Sequence, residues 1–213
     1  MNYNNLLPEY TKMKKISYNL RIGIVANKEY LKVIFLDNLR DFATNSKSLD
    51  DHLEYFVIFN RIPIKILIFA ADSLEDIIYK ANKIEKLDVI ILTLDLADKN
   101  SINQYYKNII NDFFEIFYFQ GISILVGIDT AQIFKKDVPK GIRISRYSLK
   151  DLAKYLNLIY CYEIYNKKSD VKEIYRKILN DFIFRFRYTN SELFKQARIY
   201  GNALIEKGMK NIH

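Results

Sequence analysis

The chain has 213 residues, of which half are hydrophobic and 15% aromatic, and its formal net charge is +8 at pH 7. This composition excludes a disordered chain and suits one domain of ordinary size. The single cysteine, Cys161, excludes an intrachain disulfide and fits a reducing compartment, so we expect a cytoplasmic protein. We expect no transmembrane segment, because no apolar window of about 18 residues occurs, and no lipid anchor.

The predicted elements alternate between strands and helices along the chain. The predicted strands are 20–26, 53–60, 64–71, 87–96, 122–127 and 158–164, each a short apolar run. The predicted helices cover 31–43, 73 to about 86, 101 to about 119, a short segment from 148, a long one from 169, and 189 to about 208. Four of them open with capping signals: S-L-E-D at 73–76, S-I-N-Q at 101–104, S-L-K-D at 148–151 and T-N-S-E at 189–192. The segment 44–51 is predicted to be a polar loop.

This order predicts a three-layer α/β fold with a six-stranded, mostly parallel sheet. The strands 53–60 and 64–71 are joined by a short link, so they form a hairpin and one strand is antiparallel. An extra C-terminal helix follows the last strand–helix unit. We therefore divide the chain into an N-terminal arm (1–19), an α/β domain (20–188) and a C-terminal helical extension (189–213).

The loop after the first strand has the layout of a degenerate phosphate-binding loop. Such a loop reads glycine-x4-glycine-lysine-serine/threonine. In ANKEYLKV, at 26–33, Ala26 and Leu31 stand at the glycine positions, Lys32 at the lysine and Val33 at the hydroxyl. Glycines are needed to turn successive N–H groups toward phosphate, and valine cannot ligate Mg²⁺. We therefore read Lys32 as an exposed lysine in the first turn of a helix and expect no bound phosphate.

The element order, with one hairpin after the first helix, resembles that of Ras-like small GTPases over residues 20–186. The segment LDVIILTLDLADKNSINQYYKNI is similar to the family's fourth strand and third helix, and EIYNKKSDVKEIYRKIL to its last strand and helix. The family's Asp-x-x-Gly would fall on Ala70–Ser73, so Ala70 replaces the carboxylate and Ser73 the glycine. Its guanine-reading Asn-Lys-x-Asp would fall on 128–131, where the final aspartate is missing and Asp129 lies two residues away.

The resemblance therefore implies a pseudo-GTPase. Phosphoryl transfer depends on positioning and on metal electrostatics, and the residues for both are missing. We expect neither cofactor nor metal, no nucleotide hydrolysis, and a protein-interaction scaffold or adaptor subunit in a larger complex.

Two alternatives remain open at this stage. One is a divergent nucleotide-binding switch of trafficking or signalling that uses Lys28 and Lys32. The other is a receiver-like regulatory domain with Asp95 as phosphoacceptor, although the hairpin is surplus to that fold. We expect Asp95 and Asp98, which flank the end of a strand, to be solvated or to cap a helix.

Two helices carry more apolar surface than one sheet face can cover. In helix 101–119 a second apolar stripe follows the first, and helix 169–188 mixes aromatic residues with arginines near its end. These are residue types that anchor interfaces. The candidate interface residues are Tyr106, Ile110, Phe114, Phe117, Phe184, Arg185, Phe186 and Arg187. Either a protein partner or the C-terminal helix covers them.

The positive charge is concentrated at both ends of the chain. Residues 1–21 contain four Lys/Arg and one acid, and residues 165–213 contain eleven and five, whereas 22–164 contain eighteen and nineteen. Basic ends can contact an acidic partner or an anionic membrane, although a solvated surface is the simpler interpretation. Nucleic acid is disfavoured, because the aromatic residues are predicted in helices and provide no stacking surface on strands.

Overall fold

The computed structural model describes residues 15–82, 86–102, 119–137, 139 and 143–213. The strands are β1 (Tyr18–Val25), β2 (Asn45–Ser48), β3 (Leu53–Phe59), β4 (Ile62–Ala71), β5 (Val89–Asp95), β6 (Ile122–Ile128), β7 (Tyr160–Ile164) and β8 (Asn211–Ile212). The helices with described bounds are α1 (Glu29–Arg40), α2 (Leu74–Ala81), α3 (Thr130–Ile133), α4 (Arg146–Tyr155), α5 (Ser169–Thr189) and α6 (Ser191–Glu206). The chain thus alternates strands and helices, as predicted.

The strands form one mixed sheet in the order β2-β3-β4-β1-β5-β6-β7, with β8 paired to β3. The pairs β4–β1, β1–β5, β5–β6 and β6–β7 are parallel, while β3 is antiparallel to both of its neighbours β2 and β4. This confirms the mostly parallel sheet and the predicted hairpin. In the register, Val25 lies opposite Ala71 and Asp95 opposite Ile128, so the carboxyl ends of the parallel strands meet at one edge.

Helices cover both faces of the sheet. One core is built by the inward side chains of α1, α5 and α6 against alternate residues of the strands, and includes Phe35, Tyr175 and Phe182. The opposite face carries α2 and α4, whose Ile77 and Leu149 pack in a second core. The three layers follow from strands that are apolar on both sides, which a parallel sheet requires.

The sheet has two strands that the sequence did not predict, so the six-strand count is wrong for the described residues. β2 lies in the segment predicted to be a polar loop, and its side chains, NSKS, are all exposed. Main-chain hydrogen bonds to residues 53–56 of β3 hold β2 at the edge of the sheet. Because its side chains bury no apolar surface, the sequence has no hydrophobic pattern that would predict this strand. β8 pairs only at Ile58 and Phe59, on the same outer edge of β3.

Several predicted ends of elements were also wrong. β1 begins at Tyr18, inside the predicted arm, and α1 covers 29–40 rather than 31–43. α2 ends at Ala81 rather than near residue 86, since Asn82 adopts a left-handed conformation with φ of 59°. α4 is capped by Ser145, whose hydroxyl accepts from the Ser148 N–H, and not by Ser148.

The helix predicted over 101–119 begins before Ser101, the residue predicted to cap it. Residues 100–102 are already helical. The Asp98 carboxylate accepts from the Asn100 N–H at 3.0 Å, and the Ser101 hydroxyl donates to the Asp95 carbonyl at 3.0 Å. Asp98, and not Ser101, therefore caps this segment. The rest of the predicted helix lies outside the described residues.

The C-terminal segment packs on the α/β domain. Gly201 of α6 lies so close to the β3–β4 turn that a Cβ there would be 1.9 Å from the Arg61 carbonyl oxygen. Ala197 is fully buried, and β8 continues the sheet. The C-terminal residues 189–213, which we separated as an extension, thus share the core of the domain.

Among the described residues, no helix combines the length and the apolar character needed to cross a membrane.

Candidate functional site

The candidate site lies at the sheet edge where β1, β4, β5 and β6 end. The loop after β1 brings Lys28 and Lys32 to this edge, β4 is followed by Asp72, and β5 ends on Asp95. Ligands of parallel sheets bind at this edge. The side chains that the register brings together there are two lysines and several carboxylates.

The loop 26–32 has none of the backbone geometry of a phosphate cradle. Every residue of this loop is described, and none has a positive φ. Lys28 is extended, with φ of −136° and ψ of 132°, and the Ala26 N–H donates to the Ala71 carbonyl. A cradle needs residues in the left-handed region to converge their N–H groups. Ala26 and Leu31, at the two glycine positions, are instead fully buried in the core.

The lysine of the degenerate phosphate-loop sequence, Lys32, is paired with protein carboxylates. Lys32 Nζ lies 2.6 Å from Asp72 Oδ1 and 3.1 Å from Glu29 Oε2, and its side chain is only 14% exposed. Burial alone would lower the pKa of Lys32, but the hydrogen bonds that its ammonium group donates to Asp72 and Glu29 outweigh burial and raise that pKa. Lys32 is therefore a charged, half-enclosed partner in an ion pair, rather than the exposed lysine that the sequence predicted. Val33, at the hydroxyl position, is 37% exposed.

The residues at the end of β4 and directly after it stabilise the start of α2. The Ser73 hydroxyl accepts from the Asp76 N–H and donates to the Asp76 carboxylate, which makes Ser73 the N-cap predicted from S-L-E-D. The Ala70 carbonyl accepts from Lys80 Nζ at 3.1 Å. Leu74, next in sequence, is buried in the core. Ala70, Ser73 and Leu74 thus hold the start of α2 in place, and the carboxylate that reaches Lys32 from this segment is that of Asp72.

Asp95 is the centre of a buried polar network. Oδ1 accepts from the Thr130 hydroxyl at 2.6 Å and from the Ala97 N–H at 3.0 Å. Oδ2 accepts from the Tyr30 hydroxyl at 2.5 Å and from Lys28 Nζ at 3.3 Å. The residue is 3% exposed. Asp95 thus ties together the loop after β1, the end of β5 and the start of α3, and the prediction that it would be solvated or capping is wrong.

Electrostatics keep Asp95 and Lys28 charged and Tyr30 neutral. Burial would raise the pKa of Asp95, but the hydrogen bonds from Thr130, Tyr30 and Ala97, with the charge of Lys28, lower it. Burial and the hydrogen bond to Asp95 raise the pKa of Tyr30 to about 12. The pKa of Lys28 is also raised, because its bonds to Asp98 and Tyr30 outweigh the opposing effect of burial. Both oxygens of Asp95 are engaged, so the carboxylate is a structural charge.

Asp129 has a similar structural role. Its Oδ1 accepts from the Gln132 N–H at 2.9 Å and so caps α3, while Arg143 Nη2 contacts the two carboxylate oxygens at 2.7 and 2.8 Å. Asp129 is 5% exposed, and Ala131 is buried beside it. No carboxylate at this position is free to accept from a base.

The described part of the chain contains no group of three or more His, Cys, Asp or Glu side chains that could hold a metal ion. Burial raises the pKa of the Cys161 thiol, which reduces its thiolate fraction and its reactivity.

A second feature is a groove of about 770 Å³ at the junction of α5 and α6. Phe184 and Tyr188 line it with 61% and 70% of their surface exposed, and their rings lie 4.8 Å apart. Ile183 of α5 and Phe194 of α6 complete the apolar lining. The charged lining residues are Arg187, Lys195 and Arg198. The groove therefore combines exposed aromatic rings with positive charge.

The candidate interface residues are only partly brought together there. Phe184 and Arg187 line the groove, and Arg185 is exposed on the same helix. Phe186 differs, because its ring packs 4.4 Å from the Tyr18 ring and 4.7 Å from the Phe182 ring. Tyr106, Ile110, Phe114 and Phe117 lie outside the described residues.

No protein-family model matches this sequence, and a comparison with curated proteins also found no match. The contacts of its own side chains therefore carry the functional proposal.

Sequence reasoning missed the Lys28–Tyr30–Asp95–Thr130 network. Its one sequence signal is an acidic residue at the end of an apolar strand, where the carboxyl ends of neighbouring strands converge. Lys28 and Tyr30 lie 67 and 65 residues before Asp95, and Thr130 lies 35 residues after it. Only the register of the strands brings these side chains within hydrogen-bond distance of Asp95.

Proposed function

We propose that this protein is a catalytically inactive, GTPase-like domain that binds a protein partner and neither binds nor hydrolyses nucleotide. The observation that carries the proposal is the contact of Lys32 Nζ with Asp72 and Glu29 at 2.6 and 3.1 Å. A phosphate at this position would have to displace two carboxylates that already neutralise the lysine. It would also find no converging N–H groups in the loop 26–32.

The order of strands and helices supports the proposal. The antiparallel strands β2, β3 and β4 follow the first helix, β1 lies centrally, and a helix follows each of the strands β6 and β7. Positions that a GTPase uses for γ-phosphate sensing, water orientation and base recognition are occupied here by helix caps and core side chains, namely Ser73, Leu74, Asp129 and Ala131. Such a domain keeps its packed fold and binds a partner through its outer surface.

The groove between α5 and α6 is the surface we propose for the partner. Large exposed aromatic side chains and arginines are the types that dominate interface energetics. Because the described lining residues include three cations and no acid, the partner should present acidic residues around an apolar anchor. The domain would then act as a scaffold or adaptor subunit.

The burial of Asp95 disfavours a receiver-like function. A phosphoacceptor needs an accessible carboxylate oxygen, whereas both oxygens of Asp95 accept hydrogen bonds and the residue is 3% exposed. A nucleotide switch that uses Lys28 and Lys32 would first have to break their contacts with Asp95, Asp98 and Asp72.

The nucleotide part is tested by denaturing the purified protein, separating any released nucleotide by chromatography, and titrating Mg-GTP and Mg-ATP in thermal unfolding. We expect no nucleotide and no shift in Tm. The Lys32→Gln variant should behave in the same way toward both nucleotides. The control is Lys150→Gln, because Lys150 lies on the opposite helix layer. A rise in Tm at micromolar nucleotide that is lost in Lys32→Gln and retained in Lys150→Gln would overturn the proposal and favour the nucleotide switch.

The partner part is tested with the double variant Phe184→Ala/Tyr188→Ala. Both side chains are exposed, so folding should be unaffected, while a partner that copurifies with the wild-type protein should be lost. Tyr79→Ala/Tyr147→Ala is the matched control, because these tyrosines are 87% and 82% exposed elsewhere on the surface. A partner retained by the groove variant would refute the assigned surface.

A further inference from the structure

A second, separate cavity gathers positive charge beside the core. It has a volume of about 240 Å³ and lies between the end of α1, the first half of α5 and the C-terminal strand β8. Its cationic lining residues are Lys168, Lys172, Arg176 and Lys210. Among the described lining residues Asp41 is the only acid. The buried side chains of Phe42 and Ile212 form its apolar wall.

Three of these cations are spaced by about one helical turn at the start of α5: Lys168 is the N-cap residue, with helical backbone angles, and Lys172 and Arg176 lie in the helix. Lys172 is four residues after Lys168, and Arg176 is four residues after Lys172, so the three side chains project from the same side of α5. Like charges at this spacing repel one another and lower the stability of the helix. A bound anion would convert that repulsion into attraction.

Contacts with the end of α1 position the amino groups. Lys168 Nζ lies 3.5 Å from Asp41 Oδ2, and Lys210 Nζ donates to the Asp41 carbonyl at 3.1 Å. Lys172 Nζ lies 5.6 Å from the centre of the Phe42 ring. The exposed guanidinium of Arg176 adds the planar, forked donor that matches phosphate oxygens.

Lys210 reaches this cavity because of the sheet. Parallel pairing of Asn211 with Ile58 and of Ile212 with Phe59 holds the C-terminal residues against β3. Lys210 is thereby placed next to Asp41, a residue 169 positions earlier in the chain. The charge of Lys210 thus joins those of Lys168, Lys172 and Arg176, and the single side-chain carboxylate among the described lining residues cannot neutralise four cations.

We propose that this cavity binds a small anion that carries several phosphate groups. The volume lies slightly below the roughly 300–1,000 Å³ of sites for drug-sized ligands, which suits a compact polyanion or a phosphorylated headgroup. Ammonium and guanidinium groups would contact the phosphate oxygens, and the ring of Phe42 would pack against the ligand's carbon skeleton. The site does not include the loop 26–32 or the α5–α6 groove, so it stands independently of the proposed function.

The test is isothermal titration of the full chain with inositol hexakisphosphate. We expect binding that weakens at least about tenfold in Lys172→Gln/Arg176→Gln, since one lost charge-assisted contact already corresponds to about that factor. Lys150→Gln/Lys154→Gln is the matched control: the two lysines have the same spacing, are exposed on α4, and lie on the opposite helix layer. This control should bind like the wild type.

A second variant, Lys210→Gln, tests the site from a different element and should weaken binding in the same direction. The substituted side chains are on the surface, so Tm should change by no more than about 2 °C. Sedimentation with vesicles that contain a multiply phosphorylated phosphoinositide then distinguishes the source of the phosphate. Binding to the soluble probe alone indicates a free metabolite, and binding to both indicates a lipid headgroup. No binding, or equal weakening in the α4 control, would overturn the proposal.

Discussion

Lys32 Nζ lies 2.6 Å from Asp72 Oδ1, which joins the first turn of α1 to the residue that follows β4. The ammonium group is largely enclosed, whereas the Asp72 side chain is 71% exposed. The ion pair of Lys32 and Asp72 therefore lies at the carboxyl ends of β1 and β4.

Because its carboxylate partners are solvated, the Lys32 pair should contribute little stability. We expect Lys32→Gln to lower the free energy of unfolding by about 1 kcal/mol or less, and added salt to reduce the difference. Urea unfolding of Lys32→Gln, Asp72→Asn and the double variant measures the coupling between the two residues. A loss above about 3 kcal/mol would contradict an ion pair with exposed acidic partners.

Asp95 should matter far more, because it is buried and accepts from several elements. Asp95→Asn keeps the shape of the side chain but removes the charge that faces Lys28, Tyr30 and Thr130. We expect a loss of about 2–3 kcal/mol in the free energy of unfolding. Asp98→Asn, whose side chain is 32% exposed, is the control and should cost less than about 1 kcal/mol. Equal effects in the two variants would mean that the network is not a structural centre.

The effect of Asp95→Asn should depend on pH in one direction. The pKa of Asp95 is lowered in the folded protein, so its carboxylate stabilises the fold above the usual aspartate value, about 3.9. That contribution is lost as the pH falls through the lower folded value. We therefore expect the stability difference between wild type and Asp95→Asn to be largest near pH 7 and to shrink below about pH 3.9. A difference that stays constant down to pH 3 would contradict the assigned charge.

Gly201 should tolerate no side chain. In an exposed helix, glycine to alanine would stabilise by about 1 kcal/mol. Here the added Cβ would lie 1.9 Å from the Arg61 carbonyl oxygen, so α6 must move away from the hairpin. We expect Gly201→Ala to lower the free energy of unfolding by about 2 kcal/mol or more. Lys195→Ala, exposed on the same helix, should be close to neutral.

The turn between β3 and β4 holds two non-glycine residues in the left-handed region. Asn60 has φ of 49° and Arg61 φ of 69°, as a two-residue type I′ hairpin requires. Glycine is the favoured residue at the second position, so Arg61→Gly should raise the free energy of unfolding by about 0.5–1 kcal/mol. A chemical denaturation curve measures this. Asn157→Gly, at another left-handed residue with φ of 52°, is a control for the general effect of glycine.

Apolar runs and turn chemistry were sufficient to predict the described core elements. β1, β3, β4, β5, β6 and β7 are short apolar runs, and the central strands β5 and β6, which are apolar along almost their whole length, are buried at every residue. The long helix from Ser169 and the cap at Ser73 follow equally from local patterns. The loop after β1 lacks glycine in the sequence, and its backbone accordingly has no left-handed residue.

Elements held by long-range contacts could not be predicted in this way. β2 and β8 are short and are recruited by the open main-chain groups of β3, which no side-chain pattern records. The burial of Asp95 and the pairing of Lys32 depend on which strand ends become neighbours. Capping also shifted by a few residues wherever several polar side chains competed for the same N–H groups, as at Ser145 and Ser148.

The sequence by itself determined the fold class and the absence of phosphate-loop glycines and of a hydroxyl at residue 33, because hydrophobic periodicity and residue type act locally. Only the tertiary structure decided which side chains meet at the carboxyl ends of the strands. It paired Lys32 with Asp72 and enclosed Asp95. It also placed Lys210 beside Asp41, which lies 169 residues earlier in the chain. Electrostatic partners are chosen by strand register and helix packing, which order groups that are far apart in the sequence.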